Sequence, residues 1–208
     1  MDIYASDEEK GEEIKRWWRE NGLSIMLGIA LGIAVLVGGR YWLTQKQMQS
    51  VNASSLYQHT SQLASEGKRT EAAALVDKLF SEYASTPYAV FAALEMAKHS
   101  ADNDDLEGTK SYLNWVITHA ELNGQRDMAR LRLGQLLLDQ ADYQAAQAVA
   151  NDAETNAFES LFDELKGDIA QDQFTEAAGA YGSALNALEQ NAPRGLILKL
   201  KLDDITGS

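Results

Sequence analysis

Between Glu20 and Arg40 the chain reads NGLSIMLGIALGIAVLVGG, nineteen residues without a charge. As a helix rising about 1.5 Å per residue, the stretch covers roughly 28 Å, close to the roughly 30 Å of a bilayer's hydrocarbon core. Chain that crosses hydrocarbon must satisfy its backbone polar groups internally, so the stretch predicts one transmembrane helix, placed at 21–43 with its interfacial end. It divides the chain into a tail, 1–20, and a domain of ordinary size, 44–208.

The flanks give the helix a direction. Lys15, Arg16, Trp17, Trp18 and Arg19 form a basic and aromatic collar before it, and Arg40, Tyr41 and Trp42 stand at its exit. Indole and phenol rings suit the headgroup region, and lysine and arginine favour the cytoplasmic side. Lys10, Lys15, Arg16 and Arg19 outnumber Arg40 and Lys46, which places the amino terminus inside and 44–208 outside, in a bacterium the periplasm. A cleaved signal peptide ending at Ala53 competes with this reading. The apolar run is too long for one, the leader is acidic, and the site lies too far beyond the run. Ahead of the collar, Met1 to Glu13 holds six acidic residues against Lys10, and so polar a stretch is expected to stay mobile or frayed. Within the span, Gly28 and Gly32 form a GxxxG that lets a second helix approach closely, either a partner's or that of another copy in a homodimer. Glycine is also common in membrane helices without such a role.

Beyond Leu43 there are 24 acidic residues against 13 basic ones, which argues against nucleic acid or anionic lipid as the domain's ligand. There is no cysteine, hence no disulfide, thiolate metal site or cysteine nucleophile. Only two prolines, Pro87 and Pro193, among abundant alanine, leucine, glutamine and glutamate point to an all-α fold. From Leu43 to about Leu63 the pattern stays helical, so the span is expected to continue as a stalk.

A repeat organises the rest. Small residues on which a helix pair can close fall at Ala72, Thr109, Ala146 and Ala177, spaced 37, 37 and 31 apart, near the 34-residue period of tetratricopeptide helix pairs. The clearest copy, Leu131 to Ala153, has Leu133 and Gly134 in its first helix, Tyr143 and Ala146 opening the second, and Ala150 and Ala153 on one face. The copy from Glu164 to Leu185 carries Gly167, Ala170, Phe174, Ala177, Tyr181 and Ala184, with a turn about two residues short. Ala93, Ala97, Leu113 and Val116 mark an earlier copy, and the first, near Tyr57 to Tyr83, rests mainly on spacing. Ser85 or Thr86 before Pro87 reads as a helix start, and Glu66 to Lys68, Asp102 to Asp105 and Leu122 to Gln125 read as turns. Leu196, Leu198, Leu200 and Leu202 alternate with period two, a strand signal. A lone strand has no partner in a helical chain, so Ala192 to Asp204 is expected to form a capping helix. The predicted fold is a single transmembrane helix followed by a tetratricopeptide-like solenoid with that cap.

Enzymatic chemistry is hard to build from these residues. His59, His99 and His119 stand apart without i,i+4 partners, and a calcium loop counted from Asp102 has Glu107 where glycine is needed and Leu113 where glutamate is needed. No glycine-rich phosphate cradle or Gly-x-Ser-x-Gly occurs, and neither a metal nor a cofactor is expected. Stacked helix pairs instead offer a concave surface lined by the first helix of each pair. In this register it includes Phe91, Leu94, Met128, Leu131 and Leu138, a set that equally fits ordinary packing between helices.

The acidic leader, Glu20-Asn21-Gly22 entering the span, Arg40-Tyr41-Trp42 leaving it, Ser54-Ser55-Leu56-Tyr57-Gln58, Glu66-Gly67-Lys68, Tyr88-Ala89, Ala93-Leu94-Glu95-Met96-Ala97 and Leu131-Arg132-Leu133 together resemble the YfgM-like family of ancillary Sec translocon subunits. The resemblance covers nearly the whole chain. It implies an inner-membrane protein with periplasmic repeats, contact with the SecYEG channel, and partnership with a membrane-anchored, prolyl-isomerase-like chaperone acting on exported client proteins. It also implies an alternative role, restraint of an envelope-stress phosphorelay, for which Met1 to Glu20 would be the cytoplasmic part.

Overall fold

The structure, a computed structural model, describes residues 7–170, 173–189 and 192–207, and the chain falls into two compact units, 1–51 and 52–208. Helix α1 runs without a break from Asp7 to Ser65. Residues 7–13 of the acidic leader belong to this helix, and 1–6 lie outside the described residues.

In the first unit α1 is apolar enough to cross a membrane, and almost none of its apolar window is covered by protein. Leu23, Leu31, Val35 and Leu36 all stand exposed. Polar groups at the two ends are satisfied on the helix itself: Asn21 Nδ2 donates to the Trp17 carbonyl at 3.0 Å and Thr44 Oγ1 to the Arg40 carbonyl at 2.9 Å.

The second unit begins with the last turns of α1. Its further helices are α2 (Arg69–Glu82), α3 (Pro87–Ala101), α4 (Leu106–His119), α5 (Asn123–Asp139), α6 (Tyr143–Asn151), α7 (Glu159–Ile169), α8 (Phe174–Asn186) and α9 (Arg194–Thr206), with a short 3-10 turn at Asn156–Phe158. No strand occurs among the described residues. Ala72, Thr109, Ala146 and Ala177 are each the fourth residue of α2, α4, α6 and α8, and all four are buried. A small side chain here lets antiparallel helices close. Thr109 fits because its hydroxyl donates to the Asp105 carbonyl at 2.8 Å, leaving no orphan polar group.

A second periodic feature appears only in the backbone. Gly67, Asp104 and Ala141, spaced 37 apart, each adopt positive φ (76°, 59° and 58°) just before a second helix begins. Asp105 and Asp142 then cap α4 and α6 by accepting from the Gly108 and Ala145 amides at 2.9 and 3.1 Å. The left-handed residue reverses the chain, and Ala141 holds that conformation without glycine's freedom.

Several local expectations change. The turn placed at Leu122 to Gln125 ends earlier, because α5 starts at Asn123. Arg126 folds back there, its Nη1 donating to the Ala120 carbonyl at 2.7 Å and its Nη2 to Asn123 Oδ1 at 2.7 Å. Ala153 does not share the face of Ala150: α6 stops at Asn151 and Ala153 is exposed. The chain leaves α6 because the Glu154 and Thr155 amides are drawn to Asp127. The shortening in the last full repeat lies in a helix rather than in its turn. α7 ends two residues past Gly167, whereas α5 runs five past Gly134. Phe174, at the start of α8, is 66% exposed. Pro87 does open α3, but the Thr86 hydroxyl donates backwards to the Tyr83 carbonyl at 2.8 Å. The alternating leucines form helix α9, with Leu198 fully buried and Leu196 and Leu200 outside.

Candidate protein-interaction surface

The first helices of the pairs carry the residues singled out in the sequence. Phe91 on α3 is 42% exposed and meets Tyr57 and Tyr88 with ring centroids 6.1 Å from each. Leu94 is half-buried against the central core of α3, α4 and α5. Met128 is half-buried on α5. Leu131 is 8% exposed and packs with Ala150, Phe162 and Leu165, and Leu138 bridges this cluster and the central one. Leu131 and Leu138 thus meet in one place, while Phe91 belongs to a separate aromatic group.

In the first unit, Gly28 and Gly32 have nothing within 4 Å of where a Cβ would stand, and Trp17, Trp18, Arg40, Tyr41 and Trp42 are exposed along α1. Lys46 Nζ lies 5.1 Å from the Trp42 ring, and Gln45 Nε2 donates to the Tyr41 hydroxyl at 3.1 Å.

A different surface stands out among the second helices. Between α2 and α4, floored by Met96 of α3, runs a groove of about 820 Å³. Phe80 stacks on Trp115 at 3.8 Å and 10°, and Trp115 on His119 at 4.6 Å and 9°. Parallel rings at this spacing fix a flat aromatic wall. The Trp115–His119 spacing of four was legible on a helix, but Phe80 comes from another helix and only the fold brings it in. Asp77 and Asp105 also line the groove. Burial, then the charges of Asp77 and Asp105, push the Tyr112 phenol up from its ordinary value.

Two ionic networks, each built on one buried carboxylate, hold the frame. Asp127, with no exposed surface, accepts from the Glu154 amide at 2.9 Å, the Thr155 amide and hydroxyl at 2.8 Å each, and Arg130 Nη1 at 3.0 Å. Burial raises its carboxyl, but these donors outweigh that and hold it below the ordinary value. Glu154 pairs with Arg126 and Arg130, whose hydrogen bonds bring its carboxyl down to about 2. The second network fastens the cap: Glu164 meets Arg194 at 2.5 Å and Lys201 at 2.9 Å, while Asp168 meets Lys201 at 2.6 Å and accepts from Tyr181 at 2.6 Å. Burial and then Asp168 push the Tyr181 phenol upward. Apart from Asp127 and Arg130, three apart on α5, no signal in the spacing marked these ionic pairs. Among the described residues no three histidine, aspartate or glutamate side chains gather as a metal site.

Comparison with known proteins agrees with this architecture. The tetratricopeptide repeat-like domain model matches residues 15–207. The chain is similar to a Haemophilus influenzae protein, 26% identical over 99% of this chain and 100% of that one. It is also similar to an Escherichia coli protein, 29% identical over 81% of each, and to a Neisseria gonorrhoeae protein, 25% identical over 99% and 100%. All three are named ancillary SecYEG translocon subunit, in keeping with the YfgM-like resemblance of the sequence. No solved structure matches the chain. Its helix pairs, their closing positions and the match over nearly its full length place the chain in the tetratricopeptide repeat-like domain family.

Proposed function

We propose that this chain is a single-pass inner-membrane subunit that works beside the SecYEG translocon as a protein-interaction module. In this reading 1–20 face the cytoplasm, 21–43 cross the bilayer, and 44–208 lie in the periplasm, where the repeats receive newly exported clients together with a membrane-anchored, prolyl-isomerase-like chaperone. The observation that carries it is the match, along nearly the whole chain, to relatives named ancillary SecYEG translocon subunit. The uncovered apolar helix supports the anchor, and the excess of lysine and arginine before it supports the orientation. Stacked helix pairs of this kind suit the binding of a partner.

Orientation is tested with single-cysteine reporters, which are clean because the chain has no cysteine. A membrane-impermeant maleimide is expected to label Lys78→Cys in intact spheroplasts and Glu12→Cys only after lysis. The reverse pattern overturns the topology. Co-purification of the full chain from solubilised membranes is expected to recover the channel.

A further inference from the structure

We propose that the groove between α2 and α4 holds an extended, cationic polypeptide segment with a large apolar side chain. The proposal deepens the client-binding part of the reading above and places that contact on the second helices, away from the first-helix residues Phe91 to Leu138.

Length, hydrogen bonding and charge carry it. The groove follows α2 from Arg69 to Phe80 and α4 from Gly108 to His119, three turns of each or about 16 Å, which matches about five residues of extended chain. Thr70 on one rim and Ser111 and Asn114 on the other have side chains with no hydrogen-bond partner among the described residues. An extended segment brings backbone donors and acceptors that need such partners, whereas a helix satisfies its own. The Phe80–Trp115–His119 wall, with Ala73 and Met96, offers apolar surface for one large side chain.

Charge selects the sign of the occupant. Asp77 has neither an ion pair nor a hydrogen bond among the described residues, and Asp105 caps α4 by accepting from the Gly108 amide. The cation at the groove's end, Arg69, is turned to Asn103. Most other cations of this unit are already paired: Lys98 with Asp102, Lys110 with Glu107, Lys201 with Glu164 and Asp168. A lysine- or arginine-bearing segment therefore meets an unpaired carboxylate, and an acidic one is repelled.

The test uses the full chain in detergent micelles and a blocked, dye-labelled hexapeptide of three lysines, a phenylalanine, a leucine and a serine. Its twin carries glutamates for the lysines. Fluorescence anisotropy is expected to show binding of the lysine peptide and at least about tenfold weaker binding of the twin. Asp77→Asn is expected to weaken the lysine peptide about fivefold. Ser111→Arg, at an exposed rim position, is expected to weaken it about tenfold by occupying the groove and reversing its field. Gln135→Arg adds the same charge to an exposed position on α5 and is expected to leave binding unchanged. Circular dichroism checks that each variant stays folded. The proposal is overturned by equal binding of the two peptides, by equal loss in Ser111→Arg and Gln135→Arg, or by absence of binding. It is also overturned if Ser111→Arg breaks a dimer and leaves peptide binding intact, since a second copy would then fill the groove. SecYEG co-purification is scored on the same variants. Channel capture without peptide binding removes the groove proposal alone, and loss of channel capture from the unaltered chain removes the broader reading.

Discussion

Gly167 offers a sharp test of how the last repeat is packed, because its neighbour cannot retreat. A Cβ placed there would stand 2.5, 2.6 and 2.9 Å from Cε1, Cδ1 and Cζ of Tyr181, inside any real contact distance. The ring is held at its far end by the 2.6 Å bond to Asp168 and flanked by Lys201 Nζ at 5.6 Å. In an open helical site, glycine to alanine stabilises by about 0.8–1 kcal/mol. Overpacking a rigid site costs about 1–3 kcal/mol, so Gly167→Ala is expected to destabilise by about 0–2 kcal/mol net. Two substitutions calibrate it. At Gly182, on α8, nothing lies within 4 Å, and alanine is expected to stabilise by about 0.8–1 kcal/mol. At Gly134 the Cβ meets Leu165 Cδ2 at 2.6 Å, but this is the tip of a side chain that can rotate, so the outcome is expected to fall between the other two. Urea unfolding followed by circular dichroism, with the full chain in micelles, measures all three. Gly167→Ala stabilising as much as Gly182→Ala would refute the claim that Asp168 and Lys201 pin the ring.

Other consequences follow from the ionic networks and the turns. Asp127→Ala strands the Glu154 and Thr155 amides and the Arg130 guanidinium, and is expected to cost about 3–5 kcal/mol in the same assay, with Asp127→Asn costing less. Glu154 is lowered to about 2 from an unfolded value near 4.5, so it contributes stability that is fully present above about pH 4.5 and lost as pH falls towards 2. An acid titration of unfolding midpoints should show that loss, and Glu154→Gln should flatten it. Lys201→Met leaves Glu164 and Asp168 facing each other without their shared cation and is expected to cost about 2 kcal/mol, with amide exchange rising first in α9. Ala141→Gly is expected to stabilise by about 0.5–1 kcal/mol, because alanine there holds positive φ, and a thermal melt reads the gain.

What could be read ahead of the structure was whatever depends on residue size and hydropathy along one helix. The uncharged run between Glu20 and Arg40 signalled an uncovered helix directly, and Ala72, Ala146 and Ala177 signalled helix closure because small residues recur where two helices meet. Even Thr109 held its place, although its self-satisfied hydroxyl was not foreseeable. The leucines after Pro193 showed that tertiary context overrides a local period, since a strand there would have had no neighbour. Contacts joining residues some thirty apart left no local trace. Asp127 looks like any acidic residue in a helix until Glu154 and Thr155 reach it, and that same contact ends α6 before Ala153. The groove was hidden for a related reason: Phe80 and Trp115 lie 35 residues apart, and only the placing of α2 beside α4 stacks them in one half-buried wall. Ala141, unlike Gly67, has no residue type that announces a left-handed turn.

Crosslinking in intact membranes reads out the neighbours of the span and of the repeats. A photoreactive residue is placed at Phe91 or Ser111 in the repeats, or at Gly28 or Gly32 in the span, and what is captured is identified. The account predicts that the repeat positions capture a SecYEG component or the membrane-anchored chaperone, with exported clients beside them, and that deleting Asp2 to Glu13 leaves this capture intact. Capture of neither channel nor chaperone from any position, or its loss on deleting the acidic leader alone, would contradict it.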